Sequence, residues 1–235
     1  MGRLALLSYR HPRWLLLLMP VALATPLSQI VLSPGSAMTV TGLTWPQYRL
    51  LLAELGEDRA TRLAYHDGVL EVRMPGKLHE IVNRLLSKIV FALAEELGLD
   101  IVDLGSTTWD REDLDKGIEP DSCFYLQNAA LVQGLNPNIP SDLPPDLAIE
   151  VDIASGSNNK LPIYQALGVP ELWVYREGKV QILDLRGPQV QPVENSLAFA
   201  AVSGEQIQAW VTLRETGTDL TVIKAVRQFC RSLSV

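Results

Sequence analysis

The stretch 146-DLAIEVDIASGSNNKLPIY-164 decides the fold, because it contains a strand, a turn and the first residues of a helix. In its first half, apolar residues alternate with a second set that includes Glu150 and Asp152. This period of two is typical of a β-strand, and it places both carboxylates on the same face of the sheet. Ser155–Asn159 is rich in turn and cap residues, and Pro162 suits the first turn of a helix. Lys160 is therefore predicted at a helix N-terminus.

Two acids on one strand face admit two interpretations. Their carboxylates lie about 6–7 Å apart along the strand, close enough to converge on one cation. Burial against an apolar interior would be costly without a partner, so it would require a cation or a solvated cleft. An antiparallel edge strand that faces water is the alternative. Lys160 also has two interpretations: with the helix dipole it would attract a phosphate, or it is a surface lysine that follows a turn.

Helix and strand patterns alternate along the rest of the chain. Helices are predicted over Trp45–Leu55, His79–Leu97, Leu161–Leu167 and Asp219–Leu233. A hairpin turns at Asp67-Gly68, and the acidic connection DREDLDKGIEP joins the strands DIVDLGSTTW and DSCFYLQN. The strands ELWVY and VQILDL follow the third helix. This order predicts a single α/β domain with a mixed β-sheet flanked by helices.

Composition limits the function classes. The chain has 235 residues, 47% of them hydrophobic, which is enough to bury one substantial core. A net charge of −7 gives no general attraction to nucleic acid, so any DNA contact must use a local basic patch. Cys123 and Cys230 match neither a metal-ligand spacing nor a disulfide framework. Both are predicted to be buried or free thiols in a reducing compartment.

Residues 1–37 are predicted to precede this domain, which would then span residues 38–235. They have a basic start, an apolar run and small residues, as a secretory signal does. The run is shorter than the about 20 apolar residues that a membrane span needs. Met38 opens a segment typical of the start of a cytoplasmic domain. We therefore expect an upstream extension from a misplaced start codon and a cytoplasmic protein with no membrane contact; an exported protein with a true signal peptide is the alternative.

Four blocks of the chain together carry a resemblance to a known family. They are IEPDSCFYL with Asp121, LAIEVDI with Glu150, KLPIY with Lys160 and Tyr164, and GVPELWVY. In this order, with DGVLEVRMP and the helix from His79 ahead of them, they resemble the Uma-two family of restriction-type endonucleases, part of the PD-(D/E)XK nuclease superfamily. The resemblance covers roughly residues 38–233 and implies a restriction-endonuclease-like core.

The resemblance implies an endonuclease that hydrolyses DNA phosphodiester bonds with Mg²⁺, for which Mn²⁺ could substitute. Asp121 and Glu150 would be metal ligands, and Lys160 would position or activate the attacking water. Mg²⁺ suits this set because it takes one or two carboxylates together with waters and substrate oxygens. The chain departs from the superfamily's simplest pattern at Asp152, which stands where a lysine is usual, so Lys160 would have to reach back from the helix. Whether Asp152 is a third ligand stays open.

Two further positions are auxiliary candidates. The superfamily often adds an acidic residue from the first core helix, and Glu80, next to His79, is the candidate; a solvated helix end is the alternative. Tyr164 lies one helical turn from Lys160 and could orient it, or could pack against Trp173. Restriction-type enzymes often cut both strands as homodimers, which here is family analogy alone.

A basic stripe on the C-terminal helix is the candidate for DNA contact. Lys224, Arg227 and Arg231 are spaced to share one helix face, where they would track phosphates or simply face solvent. The rival to the nuclease is a nuclease-like fold that no longer cuts and acts as a nucleic-acid-binding or protein-interaction module. Two features suggest this alternative: the negative net charge of the chain, and Asp152 at the position where a lysine is usual.

Overall fold

The computed structural model describes residues 29–56, 58–153 and 160–233. The strands are β1 (Ala37–Thr41), β2 (Arg62–His66), β3 (Val69–Arg73), β4 (Val102–Gly105), β5 (Trp109–Arg111), β6 (Lys116–Ile118), β7 (Ser122–Tyr125), β8 (Leu147–Asp152), β9 (Glu171–Arg176), β10 (Lys179–Asp184) and β11 (Gln191–Val193). The helices are α1 (Trp45–Leu55), α2 (Lys77–Leu97), α3 (Leu161–Ala166), α4 (Gly204–Leu213) and α5 (Asp219–Leu233).

The strands form two sheets. One is a five-stranded antiparallel sheet in the order β1-β3-β2-β6-β5. The other has six strands in the order β11-β10-β9-β8-β7-β4 and is mixed, because β8 runs parallel to β9 while its other pairs are antiparallel. The predicted α/β class, with helices flanking a mixed sheet, is confirmed. The second sheet was not predicted.

The second sheet arises where the sequence indicated only an acidic connection. DREDLDKGIEP and the tryptophan before it form β5 and β6, and β6 pairs with β2 through Ala64 and Ile118. Each strand has three residues, too few for an alternating pattern to show. Their partner lies far away in sequence, so local pattern could not predict the pairing. After β6 the chain crosses to the mixed sheet through Glu119, Pro120 and Asp121.

Apolar side chains form three clusters around these sheets. The largest lies between the mixed sheet and the helices α2, α4 and α5, and includes Leu147, Ile149 and Val151. A second fills the space between the two sheets and α3, and includes Ala148 on the other face of β8. A third packs α1 on the five-stranded sheet. The predicted alternation of β8 is therefore confirmed, and Glu150 and Asp152 point toward the space between the sheets.

Local signals placed most elements correctly. Thr44 and Gln47 form a capping box at the start of α1. Asp67 and Gly68, with φ of 49° and 77°, make the predicted hairpin turn between β2 and β3. Gly98 ends α2 in the left-handed region. Helix α4 was not predicted, although the Ser203 hydroxyl caps it by accepting from the Gln206 N–H.

The described structure begins before the predicted domain start at Met38. Strand β1 starts at Ala37, the Gly35 N–H donates to the Met74 carbonyl at 2.8 Å, and the Met74 N–H donates to Ser36 at 2.9 Å. The signal-like segment before residue 29 lies outside the described residues, and the boundary at Met38 stays a prediction. Among the described helices, none combines the length and the apolar character that crossing a membrane requires. Cys123 and Cys230 are both buried free thiols, as predicted.

Candidate active site

Asp121 lies where the chain passes from one sheet to the other. Its N–H donates to the Ile149 carbonyl at 3.1 Å, and its Oδ2 accepts from the Val151 N–H at 2.7 Å. Its own carbonyl accepts from the Asn83 side chain of α2 at 3.0 Å. Backbone pairing to β8 and this amide therefore fix the carboxyl group beside the face of β8 that carries Glu150.

Glu150 is held by two side chains from α3. Lys160 is the N-cap residue of that helix, as predicted, and its Nζ donates to Glu150 Oε2 at 2.7 Å. The Tyr164 hydroxyl donates to the other carboxylate oxygen. Of the two uses considered for Tyr164, packing on Trp173 is wrong, because Trp173 belongs to the cluster on the opposite face of the sheet. The Tyr164 hydroxyl thus binds Glu150, and the Tyr164 N–H donates to the Lys160 carbonyl at 3.1 Å within the helix.

This cluster is buried rather than solvated. Asp121, Glu150 and Lys160 are 3%, 4% and 5% exposed. Strand β8 is central in its sheet, so the alternative of an edge strand with water-facing acids is wrong. The predicted turn at Ser155–Asn159 lies outside the described residues. Lys160, Asp121 and Glu150, which come from separate parts of the chain, thus lie together in one buried site.

Burial and neighbouring charges shift the pKa values of Glu150 and Asp121 in opposite directions. Burial raises the pKa of Glu150, and the nearby Asp121 raises it further, against the opposing effects of Lys160 and Arg73. Burial also acts to raise the pKa of Asp121, but the His79 ring, Lys160 and the Val151 N–H outweigh it, so this pKa lies below its usual value. Asp121 is therefore the more readily ionised acid of the pair.

Two residues that sequence reasoning did not select, Glu71 and Arg73, complete the charge cluster. On β3, Arg73 donates to Glu71 Oε1 at 3.1 Å, and its Nη1 lies 3.9 Å from Glu150 Oε2. Burial lowers the pKa of Arg73, but Glu150, Asp121 and Glu71 together raise it above its usual value. The predicted hairpin places Glu71 and Arg73 on one strand face, but it does not show that this face meets Glu150.

At the start of α2, His79 rather than Glu80 reaches the cluster. His79 Nε2 lies 2.9 Å from Asp121 Oδ2, and the ring is 5% exposed. Glu80 is 42% exposed and forms an ion pair with Arg84 at 3.7 Å on the helix surface. The structure therefore does not bring Glu80 to Asp121, and its neighbour along the helix takes that place.

Asp152 forms its ion pair with a residue of β9. Its Oδ2 accepts from Arg176 Nε on β9 at 3.1 Å. It is 5% exposed and lines a cavity of about 250 Å³ beside Arg73 and His79. Arg176 offsets the charge of this carboxylate, and the role of Asp152 as a third ligand stays a prediction.

The donor set at Asp121 and Glu150 fits a divalent cation with few protein ligands. Among the described residues, the buried Asp121 Oδ1 has no hydrogen-bond partner. Each Glu150 oxygen accepts one strong hydrogen bond, which leaves further lone pairs. Groups of three or more His, Cys, Asp or Glu able to hold a metal do not occur within those same residues. Mg²⁺ needs only one or two carboxylates and fills its other positions with water and substrate.

The basic stripe on α5 is partly neutralised by α2. Arg227 donates to Glu95 at 2.6 Å, and Arg231 donates to Glu96 at 3.2 Å. Lys224 is exposed. Because the two arginines already have acidic partners, the stripe offers less positive potential than its sequence suggests, and its contact with DNA stays a prediction.

Comparisons with known proteins concern the family and the fold. A search of curated proteins gives no match. A crystal structure described as a putative nuclease belonging to DUF820, from Anabaena variabilis ATCC 29413, is similar in fold, with a TM-score of 0.50 and 14% sequence identity. The match covers 72% of this chain and 99% of that one. The model of the Uma2 family, described as "Putative restriction endonuclease", matches residues 45–216. The chain belongs to the Uma2 family, in agreement with the resemblance that its sequence carries.

Proposed function

We propose that this protein is a metal-dependent endodeoxyribonuclease that hydrolyses phosphodiester bonds in DNA, using Mg²⁺ or, in its place, Mn²⁺. The observation that carries the proposal is the meeting of Asp121, Glu150 and Lys160 in one buried cluster, with Lys160 Nζ 2.7 Å from Glu150. Membership in a family of putative restriction endonucleases supports it. A homodimer that cuts both strands is a further prediction.

Asp121 and Glu150 are the residues that would hold the cation. When bound there, a divalent ion supplies Lewis-acid polarisation of a phosphate oxygen and lowers the pKa of a coordinated water. Asp121 offers its Oδ1, while its Oδ2 is occupied by the Val151 N–H and the His79 ring. Val151 and His79 therefore orient the carboxylate so that one oxygen is available.

Lys160 and Tyr164 supply hydrogen-bond donors to the site. The Lys160 ammonium carries three donors, of which one binds Glu150, so others can orient an attacking water or contact a phosphate oxygen. Tyr164 keeps its proton because burial and the nearby Glu150 raise its pKa well above the usual value. It therefore serves as a fixed donor that holds Glu150.

Cleavage assays test the proposal. The full chain is incubated with supercoiled plasmid and with single-stranded DNA, in Mg²⁺, Mn²⁺ or EDTA. We expect metal-dependent cutting that Asp121→Asn and Lys160→Met abolish, and that the exposed-lysine control Lys179→Met retains. Circular dichroism at the assay temperature establishes that each variant is folded. Full activity in a folded Lys160→Met protein, or no cutting of either substrate by the wild type, would contradict the proposal.

The alternative is a nuclease-like binding module without catalysis. The hydrogen bonds of Glu150 favour it, because both carboxylate oxygens already accept from Lys160 and Tyr164. Calorimetric titration with Mn²⁺ separates the two. A nuclease binds the ion with an affinity that Asp121→Asn lowers, whereas a pure interaction module gives no heat that depends on Asp121.

A further inference from the structure

A cavity next to the acidic cluster has features of a phosphate site. Its volume is about 250 Å³, and it is bounded by β1, by β3, by the end of β8 and by the start of α2. Arg73, Lys77 and His79 line it, as do Glu71 and Asp152. Arg73 lies 3.9 Å from Glu150 and His79 lies 2.9 Å from Asp121, so these two side chains stand between the cavity and the proposed metal ligands.

Arg73 presents unused donors to this cavity. Its side chain is 12% exposed, and a guanidinium has five N–H donors. Over the described ranges, its hydrogen bonds are to Glu71 at 3.1 Å and to the Val151 carbonyl at 3.5 Å. Arg73 lines the cavity and has further N–H donors beyond these two bonds, and its planar fork matches the geometry of two phosphate oxygens.

The start of α2 faces the same cavity without a capping side chain. Gly76 is the N-cap residue, and the first intrahelical bond runs from the Glu80 N–H to the Gly76 carbonyl. The three amides before Glu80 have no acceptor within the helix. A Cβ on Gly76 would lie 3.3 Å from the Gly35 backbone, so close packing keeps this position bare. The N-terminus of a 21-residue helix thus adds partial positive charge.

His79 is a second, independent indication of a ligand. The residue is 5% exposed and lines the cavity. Within the described residues, its Nδ1 has no hydrogen bond, whereas Nε2 lies 2.9 Å from Asp121 Oδ2. The two acids in the cavity wall have arginine partners, Arg73 for Glu71 and Arg176 for Asp152, so their charge is balanced.

We infer that this cavity binds a backbone phosphate of the nucleic-acid strand and that Arg73 is its side-chain ligand. The inference rests on the proposed function and names where the substrate lies relative to the carboxylates. The strand would pass over the end of β8, with one phosphate between Arg73 and the first turn of α2. Arg73 is thus a substrate-binding residue, supplied by the five-stranded sheet to a site otherwise built on the mixed sheet.

The Glu71–Arg73 hydrogen bond gives a test in which two variants break the same contact. Arg73→Gln removes the phosphate ligand, whereas Glu71→Gln removes a negative charge and releases Arg73 toward the ligand. If the pair only braces β3, both variants weaken binding alike. A phosphate-binding Arg73 predicts effects of opposite sign.

The experiment measures binding of a short fluorescent oligonucleotide by anisotropy, in EDTA and in Ca²⁺, over a range of salt concentrations. We expect Arg73→Gln to weaken binding about tenfold or more, as loss of a charged hydrogen bond predicts. The slope of log K against log salt should fall by about 0.7–0.9, as expected for one lost phosphate contact. Arg73→Lys should retain part of the oligonucleotide affinity, and Glu71→Gln should bind the oligonucleotide more tightly. The affinity of Arg73→Gln for Mn²⁺ should not fall.

The control for net charge is Arg49→Gln, which removes an equally charged side chain on α1 that pairs with Asp110. It should leave affinity and salt slope unchanged. An unchanged salt slope in Arg73→Gln, or weaker binding in both Arg73→Gln and Glu71→Gln, overturns the inference. Neither result bears on the proposed function, which the cleavage assay tests separately. Binding that depends on Arg73 without any cleavage would instead retain this site and contradict the proposed function. No binding by the wild type would overturn both.

Discussion

At the scale of single residues, Glu150 is the point on which the charges of the site converge. Lys160 and Tyr164 approach from α3, and Arg73 from β3. A carboxylate on a central strand would be costly to bury without these partners. The sequence predicted the acids and the base, because strand alternation and a helix start are local patterns. It could not predict Arg73, whose contact with Glu150 depends on how two sheets pack.

The Glu150–Lys160 pair should show strong energetic coupling. Each single variant, Glu150→Gln or Lys160→Met, leaves a buried charge without its partner and should lower the free energy of unfolding by about 3–5 kcal/mol. The double variant removes both charges and should be more stable than the sum of the single costs predicts. Urea unfolding of the four proteins measures this coupling. Simple additivity would show that the pair has little interaction energy.

Tyr164 should contribute to stability through one hydrogen bond. Tyr164→Phe keeps the ring and removes the donor to Glu150, so we expect a loss of about 0.5–3 kcal/mol in the free energy of unfolding. Cleavage should fall without being abolished, because Lys160 still holds the carboxylate. Chemical unfolding and cleavage rates check both effects. Tyr175→Phe, on the neighbouring strand β9, serves as the control and should change cleavage little.

At the scale of elements, long periodic segments were predictable and short ones were not. Helix α1 has a capping box, α2 ends at Gly98 and α5 has helical periodicity, and the predicted positions of all three agree with the structure within a few residues. Strands β5 and β6 have three residues each and depend on pairing with β2. Without them, the sequence showed only the β2–β3 hairpin of the five-stranded sheet. The element that turns the chain toward Asp121 was therefore the one that sequence reasoning missed.

Gly117 on β6 should not tolerate a side chain. A Cβ there would lie 2.9 Å from Cζ of the fully buried Tyr48, which stacks on Tyr65. Gly117→Ala should therefore destabilise the protein by about 1–3 kcal/mol through overpacking. Thermal unfolding measures the change. Gly204→Ala is the control, because its Cβ would have no neighbour closer than 3.8 Å, and its unfolding temperature should be unchanged or slightly raised.

At the scale of the whole molecule, the site lies between two sheets whose strands interleave along the chain. Asp121 follows a strand of one sheet and precedes a strand of the other, while Arg73 and Glu150 belong to different sheets. The packing between the sheets therefore controls the geometry of the charge cluster. The apolar cluster that fills this space includes Cys123, and Cys230 lies in the cluster beneath α5.

The two thiols report on the integrity of these clusters. Burial raises the pKa of Cys123 to about 12, so very little thiolate exists at neutral pH. We expect neither Cys123 nor Cys230 to react with a thiol reagent at pH 8 in the native protein, and both to react in denaturant. Timed labelling followed by mass spectrometry measures this. Rapid native-state labelling of Cys123 would show that the space between the sheets opens readily.

The parallel pairing of β8 and β9 also constrains when during synthesis the site can form. Strand β8 lies between β7, which the ribosome makes earlier, and β9, which it makes later. A nascent chain that ends before Glu171 has made both acids and the lysine but lacks the strand that pairs with β8 on one side. We therefore expect the charge cluster to reach its final geometry only after β9 has left the ribosome. Until then the growing polypeptide carries every proposed catalytic group without their complete geometry, which under the proposed function would keep an unfinished chain from cutting nearby DNA.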